Sequence, residues 1–148
     1  MTPTSLDTNI IYLCGEFSHG FHQALTREFR KGGILVTVEQ FSILAVLFYK
    51  NGINQKEVGT LLSRDKTTIA RVISIMEKNK MISRVTDKND SRGKLIYLTN
   101  KGKSIQKKSV ELSGRLYEKA IKNIKVPQLK TGLQLMRTMI SNVNATQS

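Results

Sequence analysis

The chain has 148 residues, 39% of them hydrophobic and 24% charged, enough to build the core of about one average domain and too apolar for a disordered tail. Its longest unbroken apolar run, Ile43 to Tyr49, has seven residues against the roughly 20 of a membrane span. Its single cysteine and two histidines leave no internal disulfide and no Cys/His zinc site within one chain. Against 11 Asp and Glu stand 24 Lys and Arg, a net charge of +13, so a polyanion is the expected partner and nucleic acid the default one.

From Leu6 to about Lys31, the residues Leu6, Ile10, Cys14, Phe17, Phe21, Leu25 and Phe29 recur every three or four positions. They form one stripe of an amphipathic helix, which Gly32-Gly33 ends. Thr37-Val38-Glu39-Gln40 reads as a capping box and opens a helix to about Lys50, with Phe41, Leu44, Ala45 and Phe48 expected inward. Asn51-Gly52 stops it. Asn54-Gln55-Lys56-Glu57 repeats the capping signal before a short helix carrying Val58, Leu61 and Leu62. Ser63-Arg64-Asp65 breaks that helix, and Asp65 caps the next. This one runs to about Asn79, with Ile69, Val72, Ile73 and Met76 on one face.

Two helices with a short break, the second basic on its outer face, make a helix-turn-helix pattern. Two β-branched runs, Ile82 to Thr86 and Lys94 to Leu98, joined by the polar stretch 87–93, read as a basic hairpin that forms a wing. Thr99 caps a long helix through Ile105, Leu112, Leu116, Ala120 and Ile124. Pro127 is expected as the first residue of a last helix, in which Leu129, Leu133, Met136, Ile140 and Val143 make a heptad seam. No repeat or long linker interrupts the chain, so one domain over 1–148 is expected.

The charge is placed rather than spread. Residues 1–50 carry four basic and four acidic side chains, residues 51–103 twelve and five, and residues 104–148 eight and two. Seven of the nine aromatics lie in the neutral first 50 residues. Single-strand binders interleave basic and aromatic residues so that bases can stack, and this chain does not. Double-stranded DNA is therefore the expected target. The start of the second helix, Arg64-Asp65-Lys66-Thr67-Thr68 followed by Arg71, points the same way. Cations in a first turn oppose the macrodipole by about 0.3–1 kcal/mol each, a cost that a docked phosphate reverses. Thr67 and Thr68 are short enough for close approach, and Arg71 can reach a guanine or the backbone. Arg92, beside Asp90 in the hairpin, suits a narrow minor groove. The plainer readings of these residues are a solvated helix face and a polar turn with a local ion pair. No nucleophile elbow, phosphate loop or metal-binding helix motif is present, so no enzyme is expected.

Together the segments Thr37 to Phe41, Arg64 to Arg71, Met76-Glu77-Lys78, Ile82-Ser83-Arg84, Asp90 to Gly93 and Leu98 to Gly102 resemble, in order and spacing, the MarR family of bacterial winged-helix regulators. The resemblance implies a mainly α fold with a small β-hairpin wing, dimerising through N- and C-terminal helices (about 6–31 and 104–145) around a winged helix-turn-helix lobe (about 37–99). It implies a cytoplasmic homodimer on a pseudo-palindromic operator, acting as a repressor whose binding a small-molecule effector or oxidant modulates. The DNA contacts would come from Arg64, Lys66, Thr67, Thr68, Arg71 and Arg92, with no cofactor, metal or membrane. The family usually has glycine where this chain has Lys80. If that position is left-handed, Lys80 costs about 1–2 kcal/mol, unless Asn79 takes the role.

Cys14 stands near the sensing cysteine of the family's peroxide-responsive branch, but Ser18 replaces the tyrosine four residues on, and Cys14 also fits the apolar stripe as a packing residue. His19 and His22, one helical turn apart, are candidates for an effector face; a metal would need three or four ligands. A non-specific architectural binder of nucleic acid and a protein–protein adaptor built on the heptad helices are the rival readings.

Overall fold

The computed structural model describes residues 5–88 and 93–146. A 3-10 turn (Leu6–Thr8) precedes α1 (Ile10–Lys31), α2 (Val38–Tyr49), β1 (Ile53–Asn54), α3 (Gln55–Leu62), α4 (Lys66–Lys78), β2 (Ile82–Thr86), β3 (Lys94–Leu98), α5 (Asn100–Ala120) and α6 (Val126–Ala145). The chain divides into two compact units, Met1–Gly114 and Arg115–Ser148.

Local capping sets the helix starts. Asn9 Oδ1 accepts from the N–H groups of Ile11 and Tyr12 at 3.0 and 3.3 Å, so α1 begins at Ile10 and residues 6–8 form a tight turn before it instead of its first turn. Thr37 and Gln40 bond reciprocally, Gln40 N–H to Thr37 Oγ1 at 3.2 Å and Thr37 N–H to Gln40 Oε1 at 3.1 Å. Asn54 and Glu57 do the same at 2.9 and 3.0 Å. These boxes fall where the sequence placed them, because each needs only two side chains at a fixed spacing.

The core of the first unit packs α2, α3 and α4 against the sheet and α1 against α2. Phe29 of α1 meets Phe41 of α2 edge-on, centroids 5.4 Å apart, and Leu44, Val58, Ile73, Met76 and Ile96 are fully buried. Burying a large apolar side chain stabilises by roughly 1.5–3 kcal/mol. The four residues expected inward on α4 are all buried. On α2 the expected face is corrected: Ile43, Leu44 and Leu47 are buried, Phe41 and Ala45 are half-buried, and Phe48 is 59% exposed. Seven consecutive apolar residues leave the helical phase open, and the packing of α1, α3, α4 and β3 against α2 decides it.

The sheet has strand order β1-β3-β2, antiparallel throughout. β2 and β3 fall on the predicted runs, and Ile82 pairs with Leu98 and Arg84 with Ile96. β1 was not expected, since two residues opposite Leu95 and Ile96 are too few to show a period. The hairpin is thus part of a three-stranded sheet. Between α4 and β2, Lys80 takes φ +59° while Asn79 stays at −81°, so the left-handed position falls on the lysine. Thr99 Oγ1 accepts from Gly102 N–H at 3.0 Å, capping α5. Gly102 also lets α5 approach β2: a Cβ there would lie 2.0 Å from the Met81 carbonyl oxygen.

In the second unit, α5 ends at Ala120 and Asn123 takes φ +67°, so Ile124 lies in the turn rather than on the helix. Lys125 is the N-cap and Val126 the first residue of α6, which puts Pro127 second instead of first. No described residue of α6 is buried, and Leu133, Met136, Ile140 and Val143 of the predicted seam are exposed. No helix among the described residues is long and apolar enough to cross a membrane.

Candidate nucleic-acid interface

The α3–α4 turn is built by backbone geometry. Ser63 closes α3 in the left-handed region at φ +50°, and Arg64 N–H donates to Gly59 O at 3.0 Å. A Cβ on Gly59 would sit 3.1 Å from Arg64 O, so the turn is close-packed. Asp65 then caps α4, accepting from Thr68 N–H at 2.8 Å and from Thr68 Oγ1 at 2.7 Å. Those two bonds, the backbone one first, hold its carboxyl below the ordinary range.

With Ile69, Val72, Ile73 and Met76 buried, α4 presents Lys66, Thr67, Arg71, Ser74, Ile75 and Lys78 outward, all exposed, with Arg64 exposed just before it. Thr68 is half-buried and engaged with its cap. Arg92 and Asp90 lie outside the described residues; nearest them, Asp87 N–H donates to Gly93 O at 2.9 Å. Lys56 and Thr60 of α3 line a cleft of about 390 Å³ with Arg64 and Lys66. Neither Lys56 nor Thr60 is among the residues expected from the sequence to touch DNA. Lys56 carried the signal used for Lys66, a cation in a first helical turn.

A second region lies between α1 and α2. His19 and His22 are exposed and line a cleft of about 460 Å³ with Arg30, Thr37 and Glu39. His19 shares a 2.8 Å hydrogen bond with Gln23. His22 and Glu39 also border a recess of about 120 Å³ together with Arg64 and Thr68. The Glu39 carboxyl is lowered by its own backbone N–H, then by the Thr37 hydroxyl, with the His22 and Arg64 charges adding. A helix-turn-helix position and a candidate effector position thus act on one carboxylate. Cys14 is half-buried on α1 and lines neither recess. Among the described residues no three His, Cys, Asp or Glu side chains gather as a metal site.

A helix-turn-helix followed directly by an antiparallel hairpin defines a winged helix-turn-helix protein. Residues 36–94 match the model of the MarR family. The HTH-type transcriptional regulator TtmR of Methylorubrum extorquens is 28% identical over 106 residues, 72% of this chain and 53% of TtmR. The chain therefore spans about half the length of that relative. Two solved structures share the fold. Staphylococcus aureus MepR in a DNA complex has a TM-score of 0.83 at 20% identity, covering 94% of this chain and 99% of MepR. The PcaV transcriptional regulator of Streptomyces coelicolor, with its natural ligand, has a TM-score of 0.81 at 20% identity, covering 95% and 98%. TtmR and PcaV are both named as transcriptional regulators.

Proposed function

We propose that the chain is a sequence-specific, double-stranded-DNA-binding transcriptional regulator of the cytoplasm, a homodimeric repressor that leaves its operator when a small-molecule effector or an oxidant acts on it. The single observation that carries this reading is the outer face of α4. Lys66, Thr67 and Arg71 are exposed there, on a helix whose first turn holds a cation against the macrodipole. An incoming phosphate turns that cost into a gain.

On this reading residues 1–148 form one MarR-like domain. Arg64 and Lys66 meet phosphates, Thr67 and Arg71 face base edges, Thr68 holds the first turn in shape, and Arg92 enters the minor groove. The exposed apolar residues of α1 and α6, among them Phe17, Leu133 and Ile140, pair with a second copy. The histidine-lined cleft takes the effector, and Cys14 packs in the dimer helices or meets the oxidant. Two heads on a duplex must match a half-site spacing of about one helical turn or a multiple, so a change in their separation weakens binding.

Genomic fragments retained by the purified protein should share a pseudo-palindrome, bound roughly 10³-fold or more above random duplex. Equal retention of all sequences would favour the architectural binder instead.

A further inference from the structure

Along β2, Ile82 is buried and Arg84 half-buried, while Ser83 and Val85 are exposed. Residues two apart share a strand face, so Arg84 stands on the core side, where the next apolar residue would be expected. Its Nε donates to Glu77 Oε2 at 2.8 Å, its Nη2 to the same oxygen, and Nη2 also reaches Ser74 Oγ at 3.4 Å. Beyond it Val85 and Thr86 are both exposed, so the strand has left the core. Glu77, in the last turn of α4, therefore grips β2 at the end of their shared packing. The Lys31–Glu28 pair joins neighbours on one helix; Glu77–Arg84 ties two elements.

Partly exposed ion pairs add little to stability, but a planar guanidinium with two donors on one oxygen fixes an angle that a lysine does not. We propose that Glu77 and Arg84 are positioning residues, and that their pair sets the direction in which the β2–β3 hairpin leaves α4, so that wing and helix meet neighbouring grooves of one duplex. This rests on the DNA-binding reading above.

The sign of one substitution separates the proposal from simple charge steering. Glu77→Gln removes a carboxylate and releases a guanidinium. Steering alone would then raise DNA affinity, whereas loss of position lowers it. Affinity for a duplex selected by the wild-type protein and thermal melting should be measured for Glu77→Gln, Arg84→Lys, Arg92→Ala and the Arg84→Lys/Arg92→Ala double variant. The expected result is a loss of about tenfold for Glu77→Gln and for Arg84→Lys, within the coupling range of neighbouring residues, at nearly unchanged melting. In the Arg92→Ala background the Arg84→Lys loss should shrink to less than about twofold, since a wing that no longer reads gains nothing from being aimed. Tighter binding by Glu77→Gln, or an Arg84→Lys loss of equal size with and without Arg92, would overturn the proposal while leaving the regulator reading intact. A wild-type protein that prefers no duplex would overturn both.

Discussion

Thr68 donates twice to Asp65, through its backbone N–H to Oδ1 at 2.8 Å and through its hydroxyl to Oδ2 at 2.7 Å. A hydroxyl committed to a cap is not free to donate to a base, so the two adjacent threonines of α4 have different work. Thr68→Val should lower the melting midpoint by a few degrees and leave the ratio of operator to random-duplex affinity unchanged. Thr67→Ala should leave melting nearly unchanged and narrow that ratio. Binding measurements on both duplexes check the pair, and a narrowed ratio in Thr68→Val would return that hydroxyl to the reading surface.

Lys80 holds a left-handed backbone at φ +59°, with its carbonyl accepting from the Thr99 hydroxyl at 2.7 Å. A non-glycine residue there costs about 1–2 kcal/mol, offset in part by the greater chain entropy that glycine loses on folding. Lys80→Gly should therefore stabilise by about 1 kcal/mol and raise the melting midpoint by about 2–4 °C. A lower midpoint would show that the turn is not strained.

Among the described residues, three carboxyls lie below their ordinary range in the folded chain. Glu39 is lowered first by its own backbone N–H, Asp65 by the Thr68 N–H, and Glu77 by the Arg84 hydrogen bond. A carboxyl lowered by folding contributes stability that is complete above its unfolded value, about 4, and is lost as pH falls through the folded value. The melting midpoint should drop below about pH 4. A midpoint unchanged at about pH 3 would contradict the assignment.

Ile140 is 56% exposed and lies on a helix with no buried residue. In an isolated chain, Ile140→Glu would be close to neutral, since exposed substitutions usually stay within about ±0.5 kcal/mol. If α6 pairs with a second copy, the buried carboxylate should split the dimer and abolish tight operator binding. Sedimentation at micromolar concentration reads the outcome directly, and a mass unchanged from wild type would remove α6 from the interface.

The sequence disclosed those parts of the fold that depend on short-range rules. Both wing strands were found to the residue, because β-branched runs end at Asp87 and Gly93. The Thr37 and Asn54 boxes and the buried face of α4 followed from fixed spacings. The phase of α2 did not follow, because Ile43 to Tyr49 is apolar all round, and β1 exists only because β3 lies beside it. The candidate site divides in the same way. Arg64 and Lys66 are legible as cations at a helix start and Arg71 as a basic residue a turn further on, whereas the hold of Asp65 on Thr68 and the cleft shared by Lys56 and Arg64 arise from how α3 and α4 fold against each other.

The most direct test of the account is the salt dependence of binding by Lys66→Ala and Arg71→Ala to a selected operator and a scrambled duplex. Lys66 lies in the first turn of α4, and Arg71 a turn or more further in. Lys66→Ala should weaken both duplexes alike and lower the salt slope by about 0.9. Arg71→Ala should weaken the operator more than the scrambled duplex, by about 1–3 kcal/mol at one base position. Equal losses on both duplexes for Arg71→Ala would contradict base reading by this helix face.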